Sequence, residues 1–148
     1  VATSEEAMRM RKTKRAGIVS QSTQTIENVQ DIVNILMSKV VDLRFVNTIC
    51  FPTKRNQEQI KELSEKCDTM IVIGSFTSAN SKRLTDLSKE RNTRSYQVTC
   101  ADDIDETWLD NCETVGISAG ASTPDNIINE VLERIKEIGN VQKEEIYA

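Results

Sequence analysis

Strand-like and helix-like hydrophobic periodicities alternate along almost the whole chain, and this alternation constrains the fold more than any other feature. Short apolar runs predict five strands, at residues 16–19, 43–46, 70–73, 96–99 and 115–117. Between them, apolar residues spaced three and four apart predict helices, and one short helix precedes the first strand. The third run has no polar position, which is typical of a strand covered on both faces. Repeated strand-then-helix units predict an α/β fold with a largely parallel sheet.

The last predicted helix has the clearest boundaries. Thr123 is its expected N-cap, Pro124 its first residue, and Asp125 places a negative charge at the positive end of the helix dipole. Gly139 is the expected stop. Thr25 holds the corresponding N-cap position in the helix after the first strand. The buried stripe of the last helix is expected to consist of Ile127, Ile128, Val131, Leu132, Ile135 and Ile138.

Composition excludes several classes of site and partner. The 148 residues include no histidine, which rules out histidine-ligated zinc, Ser-His-Asp triads and Cys-His dyads within this chain. A net charge of −4 disfavours nucleic acid as a partner, so the basic run at residues 9–15, ahead of the first strand, is interpreted as solvated surface. No apolar run is long enough for a membrane and no export signal opens the sequence. We therefore expect a cytoplasmic protein that contacts neither membrane nor nucleic acid.

Four loops that follow predicted strands are dense in hydroxyl and amide side chains. They comprise residues 20–25, 47–55, 74–81 and 118–124. In open α/β sheets, ligands bind beyond the carboxyl ends of the strands, where helix starts present backbone N–H groups. Ordinary caps and turns explain any one such loop. Together the four loops predict a site for an anionic ligand with many oxygen acceptors, such as a phosphate or diphosphate.

Cys50 differs from the other cysteines. It follows a strand directly and stands at the start of a predicted helix, where the helix N-terminus lowers the pKa of a thiol and favours the thiolate. Cys67, Cys100 and Cys112 lie near the ends of elements and are expected to be structural. No C-x-x-C pair is present, so zinc ribbons and thioredoxin-type redox motifs are not supported.

In their order and spacing, the four loops resemble those of the 4-hydroxy-3-methylbut-2-enyl diphosphate reductases, the LytB-type iron–sulfur enzymes of the methylerythritol phosphate route to isoprenoids. The matching stretches are residues 19–23, 47–50, 74–84 and 119–124, which together span nearly the whole chain up to Gly139. The resemblance implies parallel-sheet α/β lobes, three in the whole enzyme, around a [4Fe–4S] cluster held by three cysteines. It also implies reductive dehydroxylation of an allylic diphosphate to isopentenyl and dimethylallyl diphosphate, with electrons from a ferredoxin- or flavodoxin-type donor.

The resemblance implies roles for individual residues. Cys50 matches the third cluster ligand, and Ser22 falls where the family usually has a threonine close to the hydroxymethyl end of the substrate. Ala79 stands where many relatives carry a second serine, so only its backbone can contribute to binding. The positions that match the family's diphosphate-binding residues are Ser78, Ala79, Asn80 and Ser122.

The resemblance also implies that the chain is the carboxyl-terminal half of such an enzyme. Residues 1–46 are then expected to end the middle lobe, residues 47–139 to form the third lobe, and residues 140–148 to form a loose tail. The other cluster cysteines, the diphosphate-binding histidines and the proton-donating glutamate are expected in the remaining half. The chain alone is therefore expected to be inactive.

Two other functions stay open at this point. A cluster-free α/β module that binds a phosphorylated metabolite, or serves as an interaction domain, is compatible with the missing histidines and the unpaired cysteines. A flavodoxin-like electron carrier is disfavoured. The aromatic residues that could stack on a flavin lie outside the four loops, and they are Tyr96, Trp108 and Tyr147.

Overall fold

The computed structural model describes residues 1–139, so the expected tail lies outside the described residues. The described strands form two parallel sheets, one of two strands and one of three. The predicted α/β fold is confirmed. Contacts divide the chain into two compact units, Val1–Arg55 and Asn56–Ala148, whereas the sequence predicts a boundary after residue 46.

The first unit builds its sheet from two strands and covers it with two helices. Its elements in chain order are α1 (Ser4–Arg9), β1 (Thr13–Val19), α2 (Ile26–Met37) and β2 (Val40–Val46). Strands β1 and β2 are parallel, with Ala16 beside Leu43 and Ile18 beside Phe45. Ile18 and Leu43 pack against a buried cluster on the two helices, formed by Ala7, Ile32 and Leu36.

Local sequence signals in this unit are partly confirmed. The Thr25 hydroxyl accepts the Asn28 N–H at 3.3 Å, so Thr25 is the N-cap of α2, as predicted. The basic run does not precede the first strand. Strand β1 begins at Thr13, so Lys14 and Arg15 are part of it. The strand tolerates these two charged side chains because both are exposed to solvent.

The second unit contains the three-stranded sheet, in the order β4–β3–β5. Helix α3 crosses the boundary between the units. The elements are α3 (Phe51–Lys66), β3 (Thr69–Ile73), α4 (Ala79–Lys89), β4 (Ser95–Val98), β5 (Val115–Ala119) and α5 (Asp125–Gly139), with short 3₁₀ helices at Ala101–Asp103 and Glu106–Leu109.

The central strand β3 is buried along its whole length, as its unbroken apolar run predicts. Met70 and Val72 face a cluster with α3 and α4, whereas Ile71 and Ile73 face a cluster with α5. Full burial stabilises the fold by about 1.5–3 kcal/mol per large apolar side chain. Because α4 follows β3 onto one face of the sheet and α5 follows β5 onto the other, the carboxyl ends of β3 and β5 form a topological switch point.

The start of α5 differs from the prediction. The helix begins at Asp125, one residue later than expected. The Thr123 hydroxyl donates to the Ile73 carbonyl at 3.1 Å, at the end of β3, instead of serving as the N-cap. The predicted stripe is largely confirmed, because Val131 and Ile135 are buried and most of its other members pack against the same cluster.

Candidate functional site

The loops after β1 and β2 in the first unit are fastened to each other. The Thr48 N–H donates to the Ser20 hydroxyl at 3.1 Å, and the Thr48 hydroxyl donates to the Ser20 carbonyl. Two residues further along each loop, the Cys50 N–H donates to the Ser22 carbonyl at 3.3 Å. This pairing extends the contact of the parallel strands beyond their carboxyl ends. It brings the predicted substrate residue Ser22 beside the predicted metal ligand Cys50.

Cys50 is exposed and immediately precedes helix α3. Its sulfur lies 2.8 Å from the Thr53 hydroxyl. Hydrogen bonds from the Thr53 side chain, and then from the Thr53 backbone N–H, lower the pKa of the Cys50 thiol, and the nearby Lys54 charge acts in the same direction. The arrangement favours a thiolate, which is the form that ligates iron.

The fit of Cys50 to an iron–sulfur cluster is that of a single ligand. Within residues 1–139, no three His, Cys, Asp or Glu side chains are grouped closely enough to hold a metal ion. An exposed thiol of lowered pKa therefore suits one corner of a cluster whose remaining protein ligands come from elsewhere.

The second unit joins its two candidate loops through one carbonyl group. The Ile73 carbonyl, at the end of β3, accepts the Gly120 N–H at 2.9 Å and the Thr123 hydroxyl at 3.1 Å. The Thr123 N–H returns to the Gly120 carbonyl at 2.8 Å, which closes a tight turn around Ser122. The turn after β5 is thereby held against the end of β3, at the switch point of the sheet.

Two glycines and one buried serine set the close packing at this point. Ser81 is 1% exposed and lies in the first turn of α4. A Cβ atom at Gly74 would lie 2.2 Å from the Ser81 Oγ atom, and a Cβ atom at Gly120 would lie 2.5 Å from it. Only glycine therefore fits at both positions without displacing Ser81. The contacts of Ser81 with the two glycines join segments that are distant in the sequence, so no local pattern indicates them.

The start of α4 presents the predicted diphosphate-binding residues. Ser78 is the N-cap, and its hydroxyl oxygen accepts the Ser81 N–H at 3.3 Å, which leaves its own O–H proton to donate. Ala79 and Asn80 follow in the first turn, where backbone N–H groups point out of the helix end. Ser122 is exposed in the neighbouring turn.

Asn80 carries an unused hydrogen-bonding group. Its Oδ1 atom is buried, and no residue within 1–139 donates to it. Buried polar atoms normally have a partner, so this amide has hydrogen-bonding capacity that the described residues do not use. An asparagine amide also carries two N–H donors, and a half-turn about its last torsion exchanges oxygen for nitrogen.

The remaining sequence candidates have local contacts. Burial raises the pKa of Cys67, which packs beside the cluster of α3 and α4, and the Cys112 sulfur donates to the Thr114 carbonyl at 3.2 Å. Tyr96 and Trp108 stack on each other with ring centroids 4.0 Å apart, outside the four loops. Tyr147 lies outside the described residues.

The family model described as LytB protein matches residues 1–136. The chain belongs to this family. It is 42% identical to the 4-hydroxy-3-methylbut-2-enyl diphosphate reductase of Geobacter sulfurreducens over 143 residues, which cover 97% of the chain and 51% of the relative. It is 46% identical to the enzyme of the same name from Campylobacter lari over 123 residues, 83% of the chain and 44% of the relative. The LytB-type resemblance predicted from the four loops is thereby confirmed.

Solved structures agree with this relationship. A structure of (E)-4-hydroxy-3-methyl-but-2-enyl diphosphate reductase is 41% identical and matches 89% of the chain and 46% of its own length, with a TM-score of 0.60. The Plasmodium falciparum reductase is 25% identical and matches 92% of the chain and 44% of its own length, with a TM-score of 0.83. The chain spans about half the length of the relatives that it matches. Within residues 1–139, no helix has the length and apolar character needed to cross a bilayer.

Proposed function

We propose that this chain is the carboxyl-terminal portion of a 4-hydroxy-3-methylbut-2-enyl diphosphate reductase and carries one cluster ligand and part of the diphosphate site. The observation that carries the proposal is the exposed Cys50 thiol of lowered pKa, in a chain 42% identical to the Geobacter sulfurreducens reductase. The reaction is the reductive dehydroxylation of the allylic diphosphate to isopentenyl and dimethylallyl diphosphate. The electron donor we propose is a small ferredoxin- or flavodoxin-type protein.

Cys50 is the proposed ligand of a [4Fe–4S] cluster. When bound, a cluster held by three thiolates supplies electrons and a Lewis-acidic iron with an open coordination position. Thr53 positions the Cys50 sulfur and lowers its pKa, because its hydroxyl and its backbone N–H both donate toward that atom, which favours the thiolate form. Ser22, joined to Cys50 through the backbone, offers a hydroxyl beside the ligand for the hydroxymethyl end of the substrate.

The start of α4 and the turn after β5 are the proposed diphosphate site. The Ser78 hydroxyl, the Asn80 amide and the Ser122 hydroxyl donate to phosphate oxygens, and Ala79 contributes only its backbone N–H. The positive end of the α4 dipole favours the negative charge of the ligand. Fixing the diphosphate in this way orients the opposite, hydroxymethyl end of the substrate for reduction.

The experiment is a chimera in which this chain replaces the matched half of the Geobacter sulfurreducens reductase. Asn80→Ala and Ser122→Ala should each raise KM for the diphosphate substrate, by an amount corresponding to about 1–3 kcal/mol of lost charge-assisted hydrogen bonding. Asn129→Ala, an exposed asparagine on α5, serves as the matched control and should leave KM unchanged. An unchanged KM in both site variants would remove the diphosphate site from this position.

A chimera that is folded but binds no iron would favour the alternative function, a cluster-free α/β module for a phosphorylated metabolite. In that case, binding of a phosphorylated ligand should still reach saturation in a titration, and Asn80→Ala should lower the affinity for that ligand. Iron content and substrate affinity therefore separate the two functions.

A further inference from the structure

The loop that leads from β3 to α4 is anchored to strand β4. We call residues 74–78 the β3–α4 loop, which ends at the N-cap of α4. The Gly74 N–H donates to the Val98 carbonyl at 2.8 Å, which continues the pairing of β3 with β4 by one residue. The Gly74 and Ser75 carbonyls both accept from the Gln97 side chain, whose Nε2 atom lies 3.0 Å from each oxygen. One side chain of β4 therefore holds two successive peptide groups of this loop.

The orientation of the Gln97 amide is set by its partners at both ends. Carbonyl oxygens only accept hydrogen bonds, so the end that faces the loop is the NH₂ group, which has one donor for each oxygen. At the other end, the Thr85 hydroxyl shares its proton between the Ser81 carbonyl at 2.9 Å and the Gln97 Oε1 atom at 3.3 Å. Thr85 lies on α4 and is 4% exposed. The half-buried Gln97 amide thus connects α4, β4 and the β3–α4 loop.

The Ser75 carbonyl also contacts the start of α4. Besides the Gln97 amide it accepts the Ser78 N–H, at 3.0 Å. One carbonyl oxygen therefore connects Gln97 to the backbone of Ser78, the N-cap proposed above to bind diphosphate. Without the Gln97 donors, two loop carbonyls lose a partner, and the course of the loop into α4 is no longer fixed.

We propose that Gln97 is a positioning residue for diphosphate binding, because it holds the β3–α4 loop so that the Ser78 hydroxyl and the first N–H groups of α4 meet the phosphate oxygens. Both ends of the Gln97 amide are engaged by protein groups, so it acts through the loop and not by contact with the ligand. A loop ordered before binding lowers the entropy cost of binding. This inference rests on the proposed diphosphate site.

The test uses Gln97→Met and Gln97→Glu in the chimera with the Geobacter sulfurreducens reductase. Methionine has a similar length but no N–H donor, and glutamate sets a carboxylate against two carbonyl oxygens. Each should raise KM for the diphosphate substrate about fivefold or more, because two carbonyls are left without a donor. The value of kcat should change by less than about twofold, since the diphosphate is held alike before and during the reaction. Gln30→Met, at an exposed position of α2, is the matched control and should leave KM unchanged.

Two further readouts distinguish positioning from a general weakening of the fold. Amide hydrogen exchange in the β3–α4 loop should accelerate in Gln97→Met while exchange in α5 stays unchanged, and this measurement needs neither a cluster nor turnover. In a Ser78→Ala background, the effect of Gln97→Met on KM should shrink, because residues that act through the same contact are not additive.

Other outcomes would overturn the proposal. An unchanged KM in both Gln97 variants, with Asn80→Ala still raising KM, would refute the positioning role and leave the diphosphate site in place. An unchanged KM in all of these variants would remove the site, and this inference with it. Unchanged exchange in the loop, or effects of Gln97→Met and Ser78→Ala that simply multiply, would also contradict the proposal. Far-UV circular dichroism verifies the folding of each variant, and Gln97→Glu is an independent test if Gln97→Met does not fold.

Discussion

The packing of Ser81 between two glycines gives the sharpest test of the switch-point geometry. In Gly120→Ala, the new methyl group would lie 2.5 Å from the Ser81 Oγ atom but 3.7 Å from its Cβ atom. In Gly74→Ala, it would lie 2.2 Å from Oγ and 2.9 Å from Cβ. Both substitutions force a fully buried side chain to move, which costs about 1–3 kcal/mol of unfolding free energy. The lower entropy of the unfolded chain offsets about 0.4–1 kcal/mol of that cost.

Removing the serine hydroxyl distinguishes the two glycines. In a Ser81→Ala background, the methyl group of Gly120→Ala has only ordinary contacts, the shorter being 3.4 Å to the Thr123 Oγ1 atom. In that background, the loss of unfolding free energy caused by Gly120→Ala should therefore fall to within about 0.5 kcal/mol of zero, as for substitutions that introduce no strain. Gly74→Ala should stay destabilising in that background, because the Ser81 Cβ atom is unchanged.

The assay is urea unfolding followed by circular dichroism, arranged as two double-mutant cycles. We expect a coupling of about 1 kcal/mol or more between positions 81 and 120, because residues in direct contact are not additive. Gly17→Ala is the matched control, since a Cβ atom there meets nothing within 4 Å. Equal costs of Gly120→Ala with and without the Ser81 hydroxyl would refute the packing described here.

Two further predictions concern ionisable groups. Thr53→Val removes the side-chain hydrogen bond that most lowers the pKa of Cys50. The pH midpoint for alkylation of Cys50 by iodoacetamide should therefore rise. An unchanged midpoint would mean that Thr53 does not stabilise the thiolate. Hydrogen bonds from the Thr114 N–H, the Thr114 hydroxyl and the Glu113 N–H lower the pKa of Asp68. The stability that these hydrogen bonds add is fully present above the pKa of Asp68 in the unfolded chain, about 3.9. It is lost as the pH falls through the lower pKa of Asp68 in the folded chain. The stability difference between the unsubstituted chain and Asp68→Asn should therefore shrink below about pH 4 in urea titrations, and a pH-independent difference would contradict this account.

The elements and the buried central strand could be predicted because their signals are local. Thr25 stands directly before an amphipathic segment, and its hydroxyl reaches an N–H group three residues away. Thr123 has the same local signal before α5, but its hydroxyl finds the Ile73 carbonyl, fifty residues earlier in the chain. Nothing near Thr123 in the sequence indicates that partner, because the pairing of β3 with β5 creates it.

At the candidate site, too, local features could be predicted and contacts between distant segments could not. The polar loops after the strands, and Cys50 at a helix start, follow from the position of each residue in its own segment. The position of Thr53, three residues after Cys50 at the start of α3, is a signal that could have identified it as the partner of the thiol. The joining of Ser20 to Thr48 could not be predicted, since it depends on the register of two strands. Ser81 has no signal of its own, because two glycines from other segments define its environment.

The central claim is that Cys50 ligates the cluster of a reductase. The content of iron and acid-labile sulfide in the anaerobically purified chimera tests this claim most directly. We predict about four irons per protein in the unsubstituted chimera, the count of a [4Fe–4S] cluster. Cys50→Ser should lose most of that iron together with reduction of the diphosphate substrate, because an alkoxide replaces a soft thiolate poorly. Cys112→Ser, which removes a thiol that donates to the Thr114 carbonyl, should keep both. A full iron complement and full activity in Cys50→Ser would contradict the account.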